Sequence, residues 1–137
     1  MVAGSRNRWV GRRSIELSEL IDEPWILPPP GTRARNTYTE TFAACGLPMP
    51  RANLVSSSTQ LNTTMLASGD LLTIWPATTL RFGAKHRSIK VLPVKLPVLP
   101  RPVGIIILKG RMISPVTQLF IDAAREVAKS LPNVKLK

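Results

Sequence analysis

Cysteine, histidine and long apolar runs are scarce in this sequence, and each scarcity removes a class of protein. One cysteine, Cys45, in 137 residues excludes an internal disulfide framework and a thiolate zinc site, both of which need several. The single histidine, His86, lies in the basic run KHR and reads as part of a solvated loop. A histidine-dependent metal or catalytic centre lacks its partners. The longest apolar run, near residues 103–108, is far shorter than the ~20 residues that a bilayer-spanning helix needs. No leader-like apolar segment follows Met1, so a cytoplasmic location and no membrane partner are expected. Walker, G-x-G-x-x-G and G-x-S-x-G motifs are absent, and no cofactor is expected.

Acidic residues are also few: 8 against 19 Lys and Arg, a net charge of +11. Residues 71–121 hold no Asp or Glu but carry Arg81, Lys85, Arg87, Lys90, Lys95, Arg101, Lys109 and Arg111. These cations are spread over several expected elements. With aromatics at 5%, they are not interleaved with stacking platforms as in a single-strand binder. Attraction of a small anion explains them more economically than direct nucleic-acid recognition. Catalysis is not expected. Glu40 is the only carboxylate between Pro24 and Gly69, and it falls in the middle of a helix, away from the loops that could hold a substrate. Cys45 reads as a small buried hydrophobe.

What the sequence does contain is a repeated unit of strand, punctuated loop and helix. Residues 1–3 end a strand, and 16–21 make one or two helical turns. Trp25–Leu27, bounded by prolines, suits a buried strand. Thr32 is placed to cap a helix whose buried stripe is Ala34, Tyr38 and Phe42. Gly46 ends that helix in the left-handed region, and Pro48 prevents its continuation. Residues 53–55 form the next strand. Ser57 or Ser58 caps a second helix, with Leu61, Met65 and Leu66 inward and Gly69 at its end. Residues 71–75 are a strand, Ala77–Phe82 a helical turn, 89–92 another strand, and the proline-rich 96–102 an extended crossing. Residues 103–108 read as a strand buried on both faces. Ser114-Pro115 opens a long amphipathic helix with Val116, Leu119, Phe120, Ala123, Ala124 and Val127 on its core face. Residues 132–137 read as a frayed tail. The pattern predicts an α/β fold with a mostly parallel sheet.

Two loops attract attention, PPPGT and SSST. A helix N-terminus offers free N–H groups and a positive dipole end. Gly31 admits close approach of a ligand to the backbone, and Pro28–Pro30 stiffen the turn beforehand. In an open parallel sheet, loops after successive strands meet at the carboxyl edge. Pro30, Gly31 and Thr32 with Ser56, Ser57 and Ser58 are therefore the candidate binding residues, suited to a carboxylate or other small anion. The competing reading is that Thr32 and Ser58 only cap their helices.

ELSELIDEPWILPPPGTRAR, the VSSST loop, the strand ending IWP, PRPVGIIILKGR and SPVTQLFIDAAREVAK, in this order, resemble the C-terminal half of a LysR-type transcriptional regulator. The likeness covers residues 2–129. It implies a periplasmic-binding-protein-like effector domain of two α/β lobes joined by crossing strands, with a small-molecule effector held between them. Residues 1–24 would be a remnant of the first lobe with a crossover. Residues 25–96 would be the second, effector-binding lobe, and 97–137 the strand and helix that return to the first. The winged helix-turn-helix that precedes this region in the family is not in the sequence. The expectation is thus an N-terminally truncated sensor that reaches DNA only through a domain absent from this chain, and that forms a homo-oligomer, a dimer, through its uncovered strand edge. Two alternatives stay open: a small-anion binder of the solute-binding type, and a fragment that senses nothing and only self-associates.

Overall fold

A computed structural model of the chain describes residues 1–82, 87–97 and 104–130. The chain divides into two compact units, Met1–Leu99 and Pro100–Lys137.

The first unit holds one five-stranded sheet: β1 (Val2–Gly4), β2 (Trp25–Leu27), β3 (Ala52–Val55), β4 (Leu72–Thr73) and β5 (Ile89–Val91). Their spatial order is β3-β2-β4-β1-β5. Helices α1 (Arg33–Ala44), α2 (Thr59–Ala67) and α3 (Ala77–Phe82) connect them. A 3-10 turn at Leu17–Leu20 precedes β2, with Glu16 and Glu19 bonded as a reciprocal capping box. Strand alternation sorts the core into two layers. Ala3, Trp25, Leu27 and Leu72 pack with Tyr38 and Phe42 of α1. Val2 and Ile26 pack with Leu66 of α2 on the other side. Helices thus cover both faces of the sheet, and the expected α/β lobe is built in three layers.

Parallel pairing is confined to β3-β2-β4. β1 runs antiparallel to both β4 and β5, so four of the five strands share one direction, as a mostly parallel sheet requires, and β1 alone is reversed. The reason lies in residues 5–24. They contain only the short 3-10 turn, and no helix carries the chain back across the sheet. β2 therefore starts at the edge where β1 ends. Asn7 holds this connection. Its buried Nδ2 donates to the carbonyls of Gly69 and Asp70 (3.2 and 3.1 Å), and its Oδ1 accepts from Trp9 N (3.0 Å).

Several local expectations hold in detail. Gly46 (φ 68°) closes α1 with a Schellman pattern, Leu47 N donating to Phe42 O and Gly46 N to Ala43 O, both 2.9 Å. Trp25 is fully buried. Its indole N–H donates to Leu20 O (2.8 Å), and its ring meets Phe42 edge-on at 5.5 Å. Others are corrected. Ala34 is exposed, because it lies in the first turn of α1; the buried stripe is Tyr38, Thr41 and Phe42. Leu61 is exposed, because the face of α2 turned to β1 and β5 carries Asn62 and Leu66 instead. Cys45 is exposed, since it follows the last turn of α1 at the C-cap. Strand 71–75 shortens to two residues.

In the second unit, Ser114 caps α4 (Pro115–Ser130), its Oγ accepting from Thr117 N at 3.2 Å. The expected burial is not found. Residues 104–108 are exposed and form no strand, and Val116, Leu119, Phe120 and Val127 are exposed on α4. A β-branched run becomes a strand only when a neighbour takes its backbone groups, and no described residue does so here. The crossing expected at 96–102 and the tail at 132–137 lie largely or wholly outside the described residues, as does Val103.

Two substitutions test this packing. A Cβ on Gly4 would meet Leu66 O at 2.1 Å, so Gly4→Ala should cost roughly 1–3 kcal/mol by overpacking, read as a lower urea midpoint. Asn62 is 8% exposed and its Oδ1 has no hydrogen-bond partner. Asn62→Leu should therefore stabilise the chain by about 1 kcal/mol or more, read as a higher Tm.

Candidate functional site

β2 and β3 are parallel neighbours, with Ile26 opposite Leu54 and Leu27 opposite Val55. The segments that follow them, 28–32 and 56–58, must leave the sheet by the same edge. Ser56 N donates to Leu27 O at 3.0 Å, so the two turns are joined at their roots. The turn with Pro30, Gly31 and Thr32 and the turn with Ser56, Ser57 and Ser58 thus leave neighbouring strands at the same edge of the sheet.

Within each turn the polar groups have specific employment. Thr32 Oγ1 accepts from Arg35 N (3.1 Å) and donates to Pro29 O (2.7 Å). Ser58 Oγ accepts from Leu61 N (3.3 Å), and Ser56 Oγ accepts from Ser58 N (3.1 Å). Ser58, and not Ser57, is the cap of α2. Thr32 and Ser58 are therefore genuine N-caps. What such turns leave for a ligand is mainly backbone: the first-turn amides of α1 and α2, which no helix can satisfy internally. Gly31 (φ 76°) has open space where a Cβ would stand, so nothing obstructs approach to its turn.

Arg35 is a component that the sequence reading missed. Its Nη1 donates to Pro28 O at 3.2 Å, which lays the guanidinium along the proline turn. Its signal was only a cation in the first turn of the helix after PPPGT. Beneath it, the Tyr38 hydroxyl lies 2.7 Å from Thr73 Oγ1, donates toward Ile74 O (2.8 Å) and accepts from Ile74 N (2.7 Å). Thr73 Oγ1 in turn donates to Ile26 O (3.0 Å). Burial pushes the Tyr38 phenol above its ordinary pKa, opposed by its bonds to Thr73 and Ile74 and by the Arg35 charge, so the group remains a protonated donor. This network fixes α1 to the ends of β4 and β2, and with it the turn carrying Gly31.

An open hollow of 750 Å³ lies at the opposite, amino edge of β2 and β3, lined by Asp22, Glu23, Pro48, Met49, Pro50 and Arg51 among others. Its lining mixes Asp22 and Glu23 with Arg51, and Glu23 is paired with Arg8, so it gathers no excess of positive charge for an anion. Among the described residues no cluster of His, Cys, Asp and Glu is able to hold a metal. No described helix is long and apolar enough to cross a membrane.

The fold agrees with comparison to known proteins. The family described as LysR substrate binding domain matches residues 1–129, and the chain belongs to that family. This is a family of transcription regulators, not of enzymes, which leaves Glu40 and Cys45 without a catalytic part. Over 113 residues, 82% of its length, the chain is 29% identical to the HTH-type transcriptional regulator GbpR of Azospirillum brasilense, and it spans 33% of that protein. Two solved structures share the fold with a TM-score of 0.67 each. One is the CcmR regulatory domain of Synechocystis PCC6803 in complex with 2-PG, 19% identical, with 95% of this chain and 62% of that one covered. The other is the effector binding domain of QuiR in complex with shikimate, 20% identical, with 94% and 60% covered.

Removal of the Tyr38 hydroxyl leaves the Ile74 N–H without its acceptor. Tyr38→Phe should cost about 1–3 kcal/mol, and Thr32→Ala about 1 kcal/mol for the lost cap, both read from denaturant midpoints.

Proposed function

We propose that this chain is the effector-sensing domain of a LysR-type transcription regulator, and that it takes a small anion, a carboxylate by preference, at the carboxyl edge of β2 and β3. The observation that carries the reading is the joined pair of turns, rooted in the Ser56 N to Leu27 O bond. Two helix N-termini aim partial positive charge at one place, and Arg35 adds a full one. Pro30, Gly31 and Thr32 form one wall of this cradle, and Ser56, Ser57 and Ser58 the other. Relatives in fold that were solved with 2-PG and with shikimate support a small-molecule effector.

In this reading residues 25–96 are the effector-binding lobe. Residues 1–24 and 97–137 belong to the crossovers and to the other lobe. An effector that prefers one arrangement of the lobes shifts the population toward it. The shift reaches DNA through a helix-turn-helix domain outside these residues, in a cytoplasmic homo-oligomer.

Thermal-shift measurement on the whole chain with succinate, shikimate and inorganic phosphate tests this. A ligand present at 100 times its Kd stabilises a protein by about 2.7 kcal/mol. At least one of these anions should raise Tm in a saturable way. Arg35→Gln should weaken that response tenfold or more and leave the ligand-free Tm within a few degrees. A flat response to every anion, or an undiminished one in Arg35→Gln, contradicts the assignment.

A further inference from the structure

Two long stretches of the sequence hold no acidic residue, 1–15 and 71–121, and the β1–β5 ladder brings them side by side. Gly4 is opposite Ile89 and Ala3 opposite Lys90. Ser5 N donates to Ser88 O (2.7 Å), which carries the register one step further and sets Arg6 beside Arg87. Ile15 N donates to Pro93 O (3.2 Å), and Ile15 bridges Val94, so the segment with Arg13 runs next to the one that leaves β5. Cations that the sequence pattern scatters over several elements thus line one side of the sheet. Arg6, Arg13, Arg87 and Lys90 are exposed, and among the described residues none of them is in an ion pair. Glu19 and Glu23 are taken by Arg12 and Arg8. Glu16, one step past the bridge, stands level with Lys95. The other four cations are left without a counter-charge.

A lysine on an edge strand is a common guard against strand addition, and β5 is such an edge. Guarding does not require like charges at facing positions, however, and these cost stability unless an anion lies between them. We propose that this side of the sheet holds the phosphate backbone of duplex DNA, by charge and without reading its sequence. The four cations are strung along an edge and do not converge on one point. That arrangement suits a repeating polyanion better than a single small anion, and a duplex carries one charge per ~1.7 Å of its axis. Three of the four are arginines, whose planar guanidinium matches phosphate oxygens. Trp9, the aromatic of this loop, already carries the guanidinium groups of Arg8 and Arg12 at 5.4 and 5.7 Å, so it is not the free stacking platform that a single-strand binder uses. The choice of DNA among polyanions rests on membership of a family of transcription regulators. The contact is additional to that of a helix-turn-helix domain, and it is separate from the proposed effector turns, since β4 and β1 lie between β2 and β5.

The test is fluorescence anisotropy of a labelled duplex of arbitrary sequence, about 20 base pairs long, titrated with the whole 137-residue chain between about 50 and 200 mM salt. Each phosphate neutralised contributes about 0.9 to the slope of log K against log salt, so four cations should give a slope of about −3 to −4. A second duplex of unrelated sequence should bind equally well. Arg6→Gln with Arg87→Gln should weaken binding at least tenfold at the lower salt and reduce the slope by about 2. Arg13→Gln with Lys90→Gln should do the same. Lys109→Gln with Arg111→Gln removes the same charge from exposed positions of the second unit and should leave binding within about twofold. Circular dichroism of each variant confirms that the fold is kept. No binding at the lower salt overturns the proposal. So does an equal loss from all three double variants, which would mark an effect of net charge alone. Tighter binding to the single strand than to the duplex, or to vesicles of phosphatidylglycerol and phosphatidylcholine in place of DNA, also overturns it.

Discussion

The first unit depends on one constraint: β2 and β3 are neighbours and run the same way. Parallel neighbours cannot be joined by a tight turn, so a helix must return the chain between them. That helix is α1, and its N-terminus necessarily stands at the edge where β2 ends. The same rule sends the chain from β3 into α2 at the same edge. Two N-termini side by side are thus a consequence of strand direction, not an independent feature. Burial of all three residues of β2, with Trp25 locked by Leu20, Asn53 and Phe42, makes the direction hard to change. Arg35 then ties α1 to the proline turn after β2, and the Tyr38–Thr73 network fixes it against the end of β4.

How much of this was legible in the sequence follows from how local each signal is. Thr32, Gly46, Ser58 and Ser114-Pro115 act within one helical turn of themselves, and all behave as their chemistry suggests. β2 was legible because apolar residues between two prolines have few other uses. Asn7 was not, because its partners are 62 and 63 residues away. Nor was the need for glycine at position 4, which comes from the carbonyl of Leu66. The antiparallel entry of β1 was hidden for a related reason: it depends on which edge an irregular segment returns to, and such a segment has no periodicity to read.

The last third of the chain gives the complementary lesson. The repeat of Val116, Leu119, Phe120 and Ala123 identifies a helix with an apolar face, and the helix is there. Periodicity reports that a face is fit for burial, but it does not supply what covers it. The run at 103–108 was read as a buried strand on the same footing, and its described residues are solvent-exposed. Charge followed the opposite course. The excess of cations pointed to an anion, yet much of the basic N-terminal loop is engaged with its own neighbours: Arg8 pairs with Glu23 and Arg12 with Glu19, and both guanidinium groups lie within 5.7 Å of the Trp9 ring centre. The cation that matters at the proposed site, Arg35, lies outside both the N-terminal cluster and the acid-free stretch.

The most direct measurement is a two-dimensional amide NMR titration of the chain with succinate, and with inorganic phosphate as a second probe. If adjacent helix N-termini form one cradle, the amides of Gly31, Arg33, Ser57 and Thr59 shift together along a single saturable curve, with those of the 22–23 and 48–53 hollow unmoved. Shifts confined to one turn, or scattered over the basic surface without saturation, would contradict the claim that parallel pairing of β2 and β3 creates the site.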